Sequence, residues 1–150
     1  MDDTDKKILN ELQENSNRRV SELSKTLHLP RTTVHNRTQK LEKSGVIERY
    51  KAILNMRKIG KPVTVLVNII ITSKENAYEI AERLKKRDNV EEVYVTAGQF
   101  DIVVKVRLKD NEELSEFIFG KTGLRSWPSV ERTESMIVLQ TLKENGVIWL

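Results

Sequence analysis

The feature that most constrains this chain is a pair of short helical patterns joined by a tight hinge, within residues 23–47. The first pattern stops at Leu29, because Pro30 disfavours α-helical geometry in the residue that precedes it. Pro30 itself suits the first turn of the next helix, where its missing N–H group is not needed. That helix ends at Gly45, a residue that readily adopts the left-handed conformation common at helix ends. The stretch therefore predicts two helices with a sharp turn between them.

A further helix is predicted ahead of this pair. Thr4 can cap a helix whose apolar positions Ile8, Leu9 and Leu12 recur at helical spacing, and turn-forming Asn and Ser residues follow at 15–17. A packing helix followed by two helices around a short turn is a helix-turn-helix, which leaves its last helix free to lie in a groove of DNA.

The last helix of this motif has a polar face that suits DNA. Arg can hydrogen-bond to guanine, Asn or Gln to adenine, and all of them to phosphates. Residues 31–43 contain a single acid, Glu42, whereas a solvated structural helix usually carries acids that pair with bases one turn away. The predicted DNA-contacting residues are Arg31, Thr32, Thr33, His35, Asn36, Arg37, Gln39 and Lys40.

The charge of the chain is unevenly distributed. Residues 18–58 hold 11 Lys and Arg against three acids, a formal charge of +8, while residues 61–150 hold 13 bases and 14 acids. Lys and Arg placed at phosphates gain free energy by releasing condensed counterions, so this asymmetry indicates a polyanion partner for the first part. A merely solvated basic face is the alternative, which the scarcity of acids disfavours.

The composition excludes several classes of function. The chain has no cysteine and only two histidines, His28 and His35, so a cysteine zinc site or a histidine-based centre in residues 61–150 is excluded. We predict no catalytic site, metal or cofactor. No apolar run approaches the roughly 18 residues of a membrane span, and the start resembles no signal peptide, so we expect a cytoplasmic protein.

Two domains are predicted, at residues 1–60 and 61–150. Residues 46–55 are rich in β-branched and aromatic side chains and predict a strand leaving the first domain. Residues 56–62 then break the pattern with Gly60 and Pro62.

The second domain has the pattern of a split βαβ fold. Residues 63–72 alternate as a strand, with a helix following that Ser73 or Asn76 can cap. The remaining predicted elements are strands at 90–96 and 102–108 around a turn at 98–100, a helix from about 111, and a last strand at 130–142. This order is ferredoxin-like, βαββαβ. The predicted fold class is therefore α+β, with an N-terminal winged-type helix-turn-helix domain joined to a C-terminal ferredoxin-like domain.

Both predicted helices of the second domain must cover one face of its sheet. The other face, which includes Leu66, Ile70, Tyr94 and Val103, is then available for a partner. We expect a homodimer, because a two-fold pair would also set two recognition helices about 34 Å apart, one DNA turn, or a multiple of it.

These residues resemble the Lrp/AsnC family of bacterial and archaeal transcription regulators over nearly the whole chain. In the first domain the resemblance is carried by Asp5, Ile8, Leu9, Leu12, Gln13, Glu22, Leu23, Arg37, Leu41, Glu42, Gly45, Val46, Ile47, Tyr50 and Gly60. In the second it is carried by Val95, Thr96, Gly98, Gln99, Phe100, Asp101, Ser129, Val130, Met136, Ile137, Val138, Leu139 and Lys143.

The resemblance implies a sequence-specific, double-stranded-DNA-binding dimer, usually assembled into tetramers or octamers and modulated by an amino acid or related small molecule. It implies no catalysis. Effector binding would fall on Gly98, Gln99, Asp101, Thr133, Ser135 and Met136. The chain departs from the family pattern at His28, where glycine is usual, at Pro30, at the extra Ala97 and at Ser135.

The turn at residues 98–101 can be interpreted chemically without the family. Gly98 leaves room for a ligand, Asp101 can accept a hydrogen bond from an ammonium group, and hydroxyls at Thr133 and Ser135 can bind a carboxylate. The alternative is a plain hairpin turn in which Asp101 satisfies local amides.

Three other functions remain open at this point. The first is an architectural DNA-binding protein without an effector. The second is an RNA-binding module, which shares the βαββαβ order but needs stacking aromatic residues that strand 102–108 lacks. The third is a small ferredoxin-like enzyme. Asp101 has no evident catalytic partner in the sequence, which argues against this function.

Overall fold

The computed structural model describes residues 1–72 and 76–150. It divides into two compact units, Met1–Ile53 together with Lys143–Leu150, and Leu54–Leu142. Residues 143–150 thus pack with the first unit, and the division of the chain at residue 60 stays a prediction. Within the described ranges, no helix has the length and apolar character needed to cross a membrane.

The first unit contains three helices, α1 (Asp3–Glu14), α2 (Val20–Leu27) and α3 (Arg31–Lys43). Their apolar stripes converge on one small core, as the helical spacing predicts. The buried members of this core are Ile8, Leu9, Leu12, Leu23, Val34 and Leu41.

Helix α1 begins at Asp3, and its N-cap lies two residues earlier than the Thr4 cap that the sequence suggested. Asp2 is the N-cap: its carboxylate accepts a hydrogen bond from the Asp5 backbone N–H at 3.0 Å, and the Asp5 carboxylate accepts one from the Asp2 N–H at 3.0 Å. This reciprocal capping box satisfies two of the N–H groups that a helix start leaves without partners. Thr4 lies inside the first turn.

The hinge between α2 and α3 has the geometry that the sequence predicts. His28 terminates α2 in the left-handed conformation, with φ 52° and ψ 41°, and Pro30 precedes α3 with φ −57°. Histidine tolerates this region better than most residues do. At the other end of α3, Gly45 has φ 75°, and the Ile47 N–H donates to the Leu41 carbonyl at 3.1 Å to close the helix.

The prediction of a strand at residues 46–55 is wrong for the single chain. Residues 48–55 have no regular secondary structure, because no described strand of the same chain lies beside them to complete a ladder. Their apolar side chains remain open to solvent: Val46 is 50% exposed and Ile53 68%.

The second unit is built as the pattern predicts, with somewhat shorter elements. They are β1 (Val63–Ile71), α4 (Ala77–Lys85), β2 (Val90–Val95), β3 (Ile102–Leu108), α5 (Asn111–Phe119), a short 3-10 turn (Leu124–Ser126) and β4 (Val130–Ile137). Asn76 caps α4, and Ser73 lies outside the described residues. β4 ends at Ile137, which pairs with Val65, rather than at residue 142; β1 extends only two residues past Val65, so residues 140–142 have no partner on it.

The strands form one antiparallel sheet in the order β2-β3-β1-β4, the ferredoxin-like arrangement. Directly paired residues share a face, and one face carries the core. Each fully buried aliphatic side chain there contributes roughly 1.5–3 kcal/mol. The buried core members are Val65, Val67, Ile69, Ile80, Leu84, Ile102, Val104, Val106, Leu108, Phe117, Ile118, Leu124 and Val130.

The opposite face of the sheet is crossed by a charged cluster. Glu91 accepts a hydrogen bond from Arg107 Nε at 2.6 Å and lies 3.3 Å from Lys105 Nζ, and both side chains beside it are about nine-tenths buried. Arg107 also contacts the Thr64 hydroxyl. Burial raises the pKa of the Glu91 carboxyl, but the Arg107 hydrogen bond and the two positive charges outweigh it, so that the pKa lies below its ordinary value.

Candidate nucleic-acid interface and ligand-binding turn

Helix α3 presents most of the predicted DNA-contacting side chains to solvent. Val34 and Leu41 are buried, and at 3.6 residues per turn the side of the helix opposite them carries Thr32, Asn36 and Gln39. Six of the predicted residues are exposed, namely Arg31, Thr32, His35, Asn36, Gln39 and Lys40, and Thr33 and Arg37 are half-buried.

Arg37 is directed toward the start of α1. Its Nη1 donates to Asp2 Oδ2 at 2.6 Å and to Asp5 Oδ1 at 2.9 Å. The pKa of Asp2 is lowered first by the Asp5 backbone N–H and next by Arg37, and the pKa of Asp5 first by the Asp2 backbone N–H and next by Arg37. The guanidinium therefore fastens α3 to the capping box of α1.

The one acid of α3 is also engaged. Glu42 Oε1 accepts a hydrogen bond from the Tyr50 hydroxyl at 2.8 Å. Burial, then the hydrogen bond and charge of Glu42, raise the pKa of Tyr50 to about 12. This contact ties residue 50 to the single acid of the helix.

Lys43 is a residue that the sequence argument left out of the DNA-contacting set. It is exposed and lies four residues after Gln39, on the same side of α3 as Thr32 and Asn36. The periodicity that placed Val34 and Leu41 in the core would have identified it.

The predicted effector turn is a tight hairpin between β2 and β3. The Thr96 N–H donates to the Asp101 carbonyl at 2.9 Å, and the Thr96 hydroxyl donates to the Phe100 carbonyl at 2.6 Å. Gly98 has φ 152°, a conformation that side-chain-bearing residues rarely adopt. Gly98 and Gln99 are exposed at its tip.

Asp101 closes this hairpin against β1. Its Oδ2 accepts a hydrogen bond from the Ile71 N–H at 2.9 Å, and its own N–H donates to the Ile69 carbonyl at 3.0 Å. The carboxylate thus does what the local-amide alternative anticipates, while its second oxygen is left for another donor.

The residues on β4 that the family resemblance pointed to fall on two faces. Thr133 pairs with Ile69 and Ser135 with Val67, on the helix-covered face, whereas Met136 pairs with Leu66 on the other. Ile69 pairs with Ile102 of β3 and with Thr133 of β4, and Asp101 directly precedes Ile102, so Asp101 and Thr133 lie on opposite sides of the same part of β1. Met136 pairs with Leu66, farther along β1.

Two family profiles together match nearly the whole chain. Residues 63–148 match the Lrp/AsnC ligand binding domain, and residues 1–48 match a winged helix-turn-helix DNA-binding domain. Among curated relatives, the HTH-type transcriptional regulator FL11 of Pyrococcus abyssi is 40% identical over 145 residues, covering 96% of this chain and 93% of the relative.

Solved structures support the same assignment. A transcriptional regulator from Neisseria meningitidis, determined as an L-Met complex, is 27% identical with a TM-score of 0.90 and covers 96% of this chain and 93% of its own. AsnC from E. coli is 25% identical with a TM-score of 0.87, covering 98% and 97%. This family consists of transcriptional regulators rather than enzymes. The helix-turn-helix unit, the ferredoxin-like unit and these matches agree: the chain is a transcriptional regulator of the Lrp/AsnC family.

Proposed function

We propose that the chain binds duplex DNA through the exposed side of α3. The observation that carries this is the composition of that side: its exposed residues are bases, amides and hydroxyls, and the one acid of the helix, exposed Glu42, accepts a hydrogen bond from Tyr50. Such groups contact phosphates and base edges. The contacts come from Arg31, Thr32, Thr33, His35, Asn36, Gln39 and Lys40, with Lys43 added.

Arg37 takes a different part in this proposal. With Nη1 shared between Asp2 and Asp5, it positions α3 on α1 rather than contributing a free cation to the phosphate contacts. We also propose that the protein is cytoplasmic, because a DNA-binding regulator acts in the compartment that contains its DNA.

The DNA-binding proposal is tested with a duplex that the protein itself selects from a random library. Replacing Arg31 and Lys40 together by alanine is expected to weaken binding and to reduce the dependence of log K on log salt by about one for each lost phosphate contact. The control replaces exposed Lys109 and Lys121 of the second unit, which removes the same net charge. Equal losses from the two double variants would show that only net charge matters.

We further propose that the protein acts as a homodimer through the uncovered face of its sheet, with tetramers or octamers built from such dimers. Leu66, Ile70 and Val103 are only half-buried there, and Tyr94 is 52% exposed. Apolar side chains beside a satisfied charged cluster suit a protein partner.

Two tyrosines provide a matched test of the dimer. Tyr94→Asp places a charge in the proposed interface, while Tyr78→Asp places one on α4, where Tyr78 is 68% exposed. Sedimentation equilibrium should give a monomer or a weakened dimer for the first variant only. A dimer that tolerates Tyr94→Asp and dissociates with Tyr78→Asp would move the interface to the helical face.

Finally, we propose that an amino acid or related small molecule modulates this chain through the turn at Asp101. The family profile of this unit is a ligand binding domain, and a structural neighbour was solved with L-Met. The residues involved are Gly98, Gln99, Asp101, Thr133 and Ser135; Met136, on the other face, would act only across a subunit contact.

Thermal unfolding with each of the twenty amino acids tests this proposal. A ligand that binds the native state raises the unfolding temperature by mass action. Asp101→Asn, which keeps an acceptor for the Ile71 N–H, should abolish that shift, and exposed Asp88→Asn should keep it. No shift with any amino acid would favour an architectural DNA-binding protein without an effector.

A further inference from the structure

One side of α1, beside the core residues Leu9 and Leu12, is contacted by residues from the other end of the chain. Gln13 Nε2 donates to the Ile148 carbonyl at 2.9 Å, and Gln13 Oε1 accepts from the Ile148 N–H at 3.0 Å. Asn10 Oδ1 accepts from the Leu150 N–H at 3.1 Å. These three hydrogen bonds join residues about 135 to 140 positions apart in sequence.

The geometry is that of backbone recognition. The Gln13 amide offers one donor and one acceptor to a single residue, as a neighbouring strand would. In an extended chain the N–H groups of residues 148 and 150 point to the same side, and Asn10 and Gln13 are neighbours on one side of a helix. The surface therefore fits an extended segment in one register and forms hydrogen bonds with its backbone rather than with its side chains.

The tail reaches this surface through a turn. Asn145 has φ 50°, a left-handed conformation that asparagine adopts more readily than most residues, and the chain after it runs along α1. Ile148 and Leu150 then line an apolar groove of about 780 Å³ with Leu9 and Leu12.

The docked tail is held lightly. Ile148 remains 69% exposed and Leu150 50%, so most of the contact is polar and little apolar area is buried. Segments with few buried contacts open at low free-energy cost. The tail can therefore exchange between docked and free states while the helices stay folded.

We propose that the Asn10 and Gln13 side of α1 is a docking surface for residues 146–150, and that the docked tail couples the ligand-binding unit to the DNA-binding helices. The chain passes between the units after Ile53 and again after Leu142, and the second passage continues from β4, which carries Thr133 and Ser135. When the tail is docked, two chain segments join the units instead of one. The helix α3 can then take fewer positions relative to the second unit. The coupling, though not the docking, rests on the proposed DNA-binding function and on the proposed homodimer.

Hydrogen exchange of the full chain tests the docking directly. The Ile148 and Leu150 amides should exchange at least about tenfold more slowly than free amides, and the double variant Asn10→Ala, Gln13→Ala should remove that protection. Gln13→Glu keeps the acceptor but loses the donor, and should remove most of it. Lys7→Ala, an exposed change elsewhere on α1, is the control. Unprotected tail amides in the unaltered chain, or protection that survives the double alanine variant, would overturn the docking.

The coupling is tested with the same variants and the selected duplex, compared with that duplex after one half-site has been scrambled. Releasing the tail should weaken binding to the paired half-sites by about three- to tenfold. The two helix-turn-helix units of a dimer are less often correctly placed for both half-sites when they move freely. Binding to the single half-site should not change. Equal affinity of docked and released chains for the paired sites would refute the coupling. Failure of the unaltered chain to select any duplex would instead count against the proposed function, and the exchange result would still decide the docking.

Discussion

Arg37 of α3 and Asp5 of α1 lie 2.9 Å apart, joined by a charge-assisted hydrogen bond from Nη1 to Oδ1. Asp5 belongs to the capping box that starts α1, so one guanidinium connects the recognition helix to the first helix of the fold. A residue that sequence reasoning placed among the DNA contacts is thereby occupied within the protein.

Substitution separates a positioning role from a phosphate contact. Arg37→Met should lower the unfolding temperature of the DNA-binding unit, since the capping carboxylates lose their partner, while the salt dependence of DNA binding should keep its slope. Arg31→Met should do the reverse, leaving stability unchanged and reducing the slope by about one. Calorimetry and fluorescence anisotropy over a range of salt concentrations measure both. A reduced slope with Arg37→Met would show that Arg37 does contact phosphate.

Acid should weaken the same contact. The pKa values of Asp2 and Asp5 are lowered in the folded chain, so their stabilisation is fully present above their ordinary value of 3.8 and is lost as pH falls through the lower folded values. Unfolding temperatures between pH 6 and pH 2 should fall more steeply for the unaltered chain than for Asp5→Asn. Parallel curves would mean that the Asp5 carboxylate contributes nothing to the pH dependence.

The charged cluster on the sheet should be costly to break. Glu91→Gln removes the largely buried carboxylate that Lys105 and Arg107 share, although Lys105 keeps Glu92 at 3.5 Å, and we expect the free energy of unfolding to fall by roughly 3 kcal/mol. Glu82→Gln is the matched control: it breaks an exposed pair with Lys85 and should change stability by less than about 0.5 kcal/mol. Urea denaturation compares them, and similar values for both would show that burial of Glu91 is without energetic consequence.

His28 offers a stabilising substitution. It is exposed and holds a left-handed conformation that costs a side-chain-bearing residue roughly 1 kcal/mol, so His28→Gly should raise the free energy of unfolding by about 0.5 kcal/mol after the added freedom of the unfolded chain is counted. His35→Gly, inside α3, should lower it by about 1 kcal/mol. If both substitutions destabilise, the imidazole of His28 contributes a contact that outweighs the backbone cost.

Tyr50 should be a late-titrating tyrosine. Its pKa of about 12 reflects burial and the neighbouring Glu42, so ultraviolet absorbance titration should show a phenol that ionises after the usual value of 10.0. Tyr50→Phe should remove that late step. Glu42→Gln should move it to lower pH only in part, because burial is the larger cause; a full return to 10.0 would reverse the order of the two causes.

Local chemistry explains how much of this fold was accessible from the sequence. Pro30 and Gly45 have intrinsic backbone preferences, so the hinge and the end of α3 were predicted where they occur. The alternation of β1 and the helical stripes of α4 and α5 likewise specified which side chains are buried, since each periodicity is a property of its own element. The start of α1 was misplaced because Thr4 and Asp2 are both good caps, and only the reciprocal bond with Asp5 distinguishes them.

The candidate sites were less accessible, because they depend on residues far apart in the chain. The amphipathic pattern of α3 identified its exposed side, yet it could not show that Arg37 meets Asp2, 35 positions earlier. The register of β4 against β1 separated Met136 from Thr133 and Ser135, and no spacing along β4 alone reveals which face is covered.

The sequence by itself determined the two kinds of unit, the basic recognition helix and the glycine hairpin, because propensity, periodicity and charge act over a few residues. The tertiary structure decided which side chains already have partners within the protein: Arg37 donates to Asp2 and Asp5, and Glu42 accepts from the Tyr50 hydroxyl. It also brought the chain's last residues onto Asn10 and Gln13. Hydrogen bonds and ion pairs act over a few ångströms of space, and only the folded chain brings these distant residues within that range.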